Sequence, residues 1–139
     1  MSEASRENPD STMRIPPLTT APISRLTLAL FAGASSDHNP IHVDLDYARR
    51  SGMEDVFAHG MLLMAYLGRS LTNWVPQSEL RRFTVRFVAI THVHESISCT
   101  GRVVEEFSQN GERLARLELS AQNEKGEIKA MGEALIAVS

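Results

Sequence analysis

The densest group of chemically able side chains in this sequence runs Ser35-Ser36-Asp37-His38-Asn39-Pro40-Ile41-His42-Val43-Asp44. A second group, Ala58-His59-Gly60-Met61, follows at the head of an apolar stretch. A carboxylate and an imidazole that share one water can shuttle protons to and from it, and Asp37 and His42 supply such a pair. Asn39-Pro40 between them forces a turn, so the two side chains can converge. Gly60, at a helix start, can offer its backbone N–H to an oxygen on which negative charge develops, because free N–H groups and the positive dipole end gather there. Glycine also lets a ligand come close. With an apolar slot along the same helix, this is the equipment for moving water on and off a carbon next to a thioester-stabilised enolate.

Plainer readings compete at each position. Asp37 and His42 can simply close a loop; Asn39-Pro40 between them and His59-Gly60 downstream favour chemistry. A metal site at Asp37, His38, His42 and Asp44 has the i, i+4 histidine spacing of zinc helices, but Pro40 opposes a helix there, so no metal is expected. Asp44 reads as a helix cap and His38 as an exposed loop residue. His92 and His94 would share one face of a strand and read as exposed histidines rather than a chelate. Cys99 has no activating base nearby in sequence and reads as a buried, inert thiol. Trp74 and Tyr66 read as packing. Arg81, Arg82 and Arg86 read as a solvated face, with contact to a phosphate as the alternative.

The elements that must position these groups are legible from periodicity. Arg14 to Ala21 is rich in Pro and Thr and can hold one short edge strand. Ile23, Leu26, Leu30 and Phe31 recur at helical spacing over Ile23 to Ala34. Ser35 to Val43 reads as a loop, and Asp44 to Arg50 as a short helix capped by Asp44. His59 to Trp74 is the clearest helix, about 24 Å long, and apolar on nearly every side over its first two turns, which predicts burial. Beyond Pro76 the pattern turns to strands. Phe83, Val85, Phe87 and Ala89 alternate with Thr84, Arg86, Val88 and Ile90; Ile97, Cys99 and Val103 suggest a second strand. Ala115, Leu117, Leu119 and Ala121 mark a third, and Ile128, Ala130, Ala134, Ile136 and Val138 a fourth. Gln109-Asn110-Gly111 and Glu124-Lys125-Gly126 are tight-turn signals, so the last three strands are antiparallel hairpins. The expected class is α+β: an antiparallel sheet wrapped around one long buried helix, the shape of a hot-dog fold. Its open edge predicts pairing into a homodimer or higher oligomer.

The chain of 139 residues, with net charge −3 from 14 basic and 17 acidic residues, is sized for one domain, expected over residues 13–139. It has no basic run, which argues against a nucleic-acid partner. Its single cysteine permits no internal disulfide and suits a reducing, cytoplasmic setting. No apolar run approaches the roughly 20 residues that cross a bilayer. Met1 to Thr12 is polar with charges of both signs; it is no signal peptide and is expected to be a disordered tail.

The stretch Phe31-Ala-Gly-Ala-Ser-Ser-Asp-His-Asn-Pro-Ile-His-Val-Asp, with Gly60 following 23 residues after Asp37, resembles the MaoC-like dehydratases and (R)-specific enoyl-CoA hydratases. The resemblance covers roughly residues 22 to 138. It implies a hot-dog fold, a homodimer or higher assembly, and syn hydration of a trans-2-enoyl-CoA to an (R)-3-hydroxyacyl-CoA. On that resemblance Asp37 and His42 are the catalytic dyad. Asn39 shapes the turn and helps position the water, Gly60 donates its N–H to the thioester carbonyl, and His59 supports the helix start. No metal or redox cofactor is implied; coenzyme A arrives as part of the substrate. Alternatives are a 3-hydroxyacyl-ACP dehydratase of fatty-acid synthesis, a thioesterase, and a non-catalytic acyl-thioester-binding or partner subunit. The chain departs from the family pattern in three places. Ser36 stands at a usual glycine, tolerable if the backbone is ordinary there; Ile90 stands at a proline; His94 stands at a glycine.

Overall fold

The helix that precedes the polar loop starts for a readable reason. The Ser24 hydroxyl accepts the Thr27 N–H at 3.0 Å, capping α1, Arg25–Ser35. The structure, a computed structural model, describes residues 13–138; the tail expected over Met1 to Thr12 lies outside the described residues. After α1 comes a 3-10 turn, Pro40–His42, then α2, Leu45–Arg50, whose N-cap Asp44 accepts the Tyr47 N–H. The long helix α3 spans Gly60–Thr72, shorter by a residue at the start and two at the end than its pattern suggests.

Among the described residues five strands follow the order β1-β3-β4-β5-β2, every pair antiparallel. They are β1, Leu18–Thr19, β2, Leu80–Phe87, β3, Ser98–Gln109, β4, Glu112–Gln122, and β5, Ile128–Ala137. The meander β3-β4-β5 turns at Asn110-Gly111 and at Gly126, all at positive φ. On β4, Ala115, Leu117, Leu119 and Ala121 point into the core as their alternation requires. The sheet curls around α3, which meets β2, β3, β4 and β5, and this is a hot-dog fold. Leu67 and Leu71 of α3 are wholly buried, each contributing about 2 kcal/mol of apolar burial. Among the described residues, no helix is long and apolar enough to cross a membrane.

Tertiary packing changed several local expectations. The first long strand does not run on to Ile90: it ends at Phe87, and the Val88 and Ala89 N–H groups turn instead to the Lys129 carbonyl, at 2.9 and 3.3 Å. His92 and His94 therefore do not share a strand face. His92 makes an isolated bridge to Phe57, and His94 sits in a turn at φ 74. On α1 the inward residues are Leu28 and Ala32, while Leu26 and Leu30 are 67% and 66% exposed. The helix carries two apolar stripes, and only one of them faces the core. Likewise α3 is not buried all round. Its inward face is Leu62, Leu63, Leu67, Ser70 and Leu71, while Met61 is 52% exposed, because the sheet of one chain covers one side of the helix.

Two of the three departures from the family pattern fall where the backbone is left-handed. Ser36, the C-cap of α1, has φ 63, and His94 has φ 74. The backbone at Ser36 is therefore not ordinary, and its Cβ carries strain that glycine would not. Ser36→Gly and His94→Gly should each raise stability by about 1 kcal/mol, or about 3 °C in thermal midpoint, as read by circular dichroism melting. An unchanged or lower midpoint would show that neither position is strained.

Candidate active site

The loop that carries Asp37 is built from consecutive side-chain-to-backbone turns. The Ser35 hydroxyl accepts the Asp37 N–H at 3.2 Å, an Asp37 carboxylate oxygen accepts the Asn39 N–H at 3.3 Å, and the Asn39 side-chain oxygen accepts the Ile41 N–H at 3.2 Å. Short polar side chains satisfy the backbone where neither helix nor strand can. Asn39 therefore caps the 3-10 turn that Pro40 opens, which points His42 inward while Asp37 stays exposed.

Two imidazoles then meet. His42 and His59 stack with ring centroids 3.9 Å apart and planes at 28°. The His42 Nδ1–H donates to the Phe57 carbonyl at 2.7 Å. A carbonyl can only accept, so this bond sets the tautomer and leaves the lone pair of neutral His42 on Nε2. Phe57 also places its ring edge-on to His42, at 5.2 Å and 85°. The His59 Nε2–H donates to the Asp37 carbonyl at 3.1 Å, and Phe31 packs edge-on against the His59 ring. His59 is 1% exposed, and this burial holds its pKa below the ordinary 6.5 of an imidazole. It stands neutral, a strut between the loop and the start of α3.

Asp37, His42 and His59 each offer one ligand atom, all within 4.8 Å of one another. The Asp37 carboxylate and the His42 ring are thus close enough to share a water. Three such atoms at this spacing can also hold a metal ion. The His59 Nδ1 is buried without a hydrogen-bond partner.

Gly60 opens α3, and no side chain caps that end, so its N–H groups are available to an anion or a polarised oxygen. A Cβ at Gly60 would come within 3.0 Å of the Phe87 ring. A larger residue at position 60 would therefore press on the Phe87 ring and displace it. Beside it lies a cavity of about 370 Å³ whose walls include Phe57, Leu63, Phe87, Ile90 and Thr91. The slot is therefore shared between α3 and the segment after β2, not made by the helix alone. Its contributors Phe57, Phe87 and Thr91 were not singled out from sequence. The Phe57 role runs through a main-chain carbonyl, which leaves no mark in residue type. Arg81 is engaged with Glu112 and the Ser78 carbonyl and faces no part of this site. Cys99 is fully buried, its thiol pushed up to about 12 by burial, and is inert.

The MaoC like domain family model matches residues 7–124. A 54-residue stretch is 41% identical to an (R)-specific enoyl-CoA hydratase of Rhodospirillum rubrum, over 39% of this chain and 38% of that protein. Another alignment is 30% identical over 113 residues to the fatty acid synthase subunit beta of Saccharomyces cerevisiae, over 76% of this chain and 5% of that one. The matches thus span well under two thirds of these curated relatives. Among solved structures, the R-hydratase PhaJ1 from Pseudomonas aeruginosa superposes with a TM-score of 0.79 at 26% identity, covering 91% of this chain and 80% of that one.

The buried, neutral His59 links stability to pH. Its folded pKa lies below the unfolded value near 6.5. Its contribution is therefore complete above that pH and is lost as pH falls from there through the lower folded value, where only the unfolded chain binds the proton. Urea unfolding between pH 7.5 and pH 5.5 (about one unit either side of the ordinary imidazole value) should show stability falling, by at most about 1.4 kcal/mol per pH unit from this group. His59→Gln should remove that part of the slope. An unchanged slope in the variant would mean that His59 does not titrate differently on folding.

Proposed function

Because the chain belongs to the MaoC-like dehydratase family, we propose that it is a hydro-lyase catalysing reversible hydration of a trans-2-enoyl-CoA to an (R)-3-hydroxyacyl-CoA. The observation that carries this reading is the tautomer of His42: with Nδ1–H tied to the Phe57 carbonyl, the lone pair of the neutral ring falls on Nε2, and the ring lies close to the Asp37 carboxylate, beside an uncapped helix start and an apolar slot.

A water lies between Asp37 and His42. As its oxygen bonds to C3 of the enoyl thioester, one of its protons passes to the pair, with the His42 Nε2 lone pair as acceptor. Electron density moves to the thioester oxygen, held by the Gly60 N–H at the positive end of α3. The pair then returns a proton to C2 on the same face, so the net change is one water added. Asn39 holds the turn that aims both groups, and His59 holds the Asp37 main chain against the start of α3. The acyl chain occupies the cavity beside Gly60. Coenzyme A enters as part of the substrate, and the chemistry needs neither metal nor redox cofactor. Residues 13–139 act as one catalytic unit on this reading. The (R) configuration follows the likeness to the (R)-specific enoyl-CoA hydratase and the R-hydratase.

A second copy of the chain is the expected partner. Strand β2 is an unpaired sheet edge, and Met61, Phe87, Val88 and Ile90 are large apolar side chains left about half exposed around the candidate site. Edge-to-edge pairing with another copy would cover both.

Purified protein should remove the ultraviolet absorbance of the conjugated enoyl group of crotonyl-CoA. Asp37→Asn and His42→Gln should each lower kcat by about a thousandfold with an unchanged circular dichroism spectrum. Retained turnover in either variant would sink the dyad. Release of free thiol in place of hydration would mark a thioesterase, and turnover only of the carrier-protein thioester would assign the alternative carrier. No turnover of any of these would leave a binding or partner subunit. Sedimentation equilibrium should give at least twice the 15.4 kDa chain mass; a monomer at micromolar concentration would overturn the partner assignment.

A further inference from the structure

We propose that Lys129, which belongs to neither the dyad nor the oxygen-binding end of α3, is a positioning residue that sets the wall of the acyl cavity. The inference deepens the hydratase reading and rests on it for the identity of the ligand.

Lys129 is among the largest wholly buried side chains, at 1% exposure. A buried ammonium is costly unless its protons are all placed. Here all three have an acceptor nearby: the Ile90 carbonyl at 2.8 Å, Glu127 at 2.5 Å and Glu95 at 3.3 Å. Two of these acceptors are carboxylates, which offset the charge. The third is a main-chain carbonyl in the segment that leaves the sheet after Phe87.

That segment begins beyond the end of β2, and Lys129 holds it twice. The Lys129 main-chain carbonyl accepts from Val88 and Ala89, and its ammonium grips Ile90 one residue further on. Glu95, beside the ammonium, accepts the His92 N–H at 2.9 Å. Ala89, Ile90 and Thr91 thus form a wall of the cavity that also touches Gly60. The wall continues toward the dyad: the Thr91 carbonyl accepts the Ala58 N–H at 2.8 Å, and the neighbouring Phe57 carbonyl orients His42. An apolar side chain in place of Lys129 would fill the space but leave the Ile90 carbonyl without its donor. The strand end would then be free to shift by the fraction of an ångström that decides acyl fit.

The test is Lys129→Met, which keeps length and removes the donor, beside Glu127→Gln, which keeps the bond to Ile90 and removes an exposed charge. By calorimetry, butyryl-CoA, a saturated probe that cannot react, should bind Lys129→Met about tenfold more weakly than wild type, as expected for one charge-assisted hydrogen bond. Glu127→Gln, whose amide oxygen still accepts from the ammonium, should bind it within about threefold of wild type. On crotonyl-CoA, Lys129→Met should raise KM while kcat stays within about threefold, because the proton-transfer groups are intact. Amide hydrogen exchange at Ala58 should quicken about tenfold in Lys129→Met while Leu117 and Leu119 on β4 keep wild-type rates. Equal weakening in both variants would overturn the proposal, because the charge and not the bond to Ile90 would then matter. Faster exchange at all three amides together would also overturn it, marking a merely structural lysine. Should wild-type protein neither bind butyryl-CoA nor turn over any enoyl thioester, the hydratase reading fails. The exchange rates then decide the Lys129 tether by themselves: selective quickening at Ala58 upholds it, and an unchanged Ala58 rate refutes it.

Discussion

The candidate site depends on a buried neutral imidazole that can donate only one hydrogen bond. His59 spends its Nε2–H on the Asp37 carbonyl, which ties the polar loop to the start of α3 across 22 residues of sequence. The stack against His42 and the edge contact from Phe31 hold the ring on two sides. Burial keeps His59 uncharged, and a neutral ring can lie flat against a second imidazole without the repulsion that two cations would bring. Were His59 to carry a proton, the loop, the helix start and the His42 ring would all feel it.

Around this strut the chain divides the labour between main chain and side chain. On the proposed reading the groups with chemistry to do are side chains at the loop, Asp37 and His42. Those that aim them are main-chain carbonyls at Phe57, Asp37 and Thr91 and the hydrogen-bonding side chains of Ser35 and Asn39. A carbonyl is fixed by the element that carries it, so the precision of the site derives from the rigidity of α3 and the sheet. The hot-dog architecture provides that rigidity. A helix gripped by a curled sheet presents its free N-terminal end at one rim, where the loop from α1 and the segment after β2 both arrive. The left-handed backbone at Ser36 and His94 is the strain retained to make those two approaches.

Much of the fold was legible because periodicity is a local signal. Alternation on β4, the turn residues at Asn110-Gly111 and Gly126, and the cap at Asp44 act within a few residues of themselves. The errors came where one apolar residue type serves two ends. Leu26 and Leu30 carry the helical spacing of α1, yet face outward beside a second stripe that does pack. Ala89 and Ile90 continue the alternation of β2, yet leave the sheet, Ala89 for the Lys129 carbonyl and Ile90 for the Lys129 ammonium. Hydrophobicity says that a side chain prefers cover and does not say which surface supplies it. A strand continues only while a neighbour has free N–H and C=O groups to offer.

The sequence by itself determined the types of group in the site and their order: a carboxylate, an Asn-Pro turn, an imidazole, then a His-Gly pair at the head of an apolar helix. Those are chemical identities, carried by each residue wherever it sits. Only the tertiary structure decided that His42 keeps its lone pair on Nε2, that Phe87 lies close against Gly60, and that Lys129 is buried beneath the wall of the cavity. Each depends on atoms brought together from distant parts of the chain. A tautomer, a close contact and a buried charge are properties of an environment, and the environment exists only once the sheet has closed around α3.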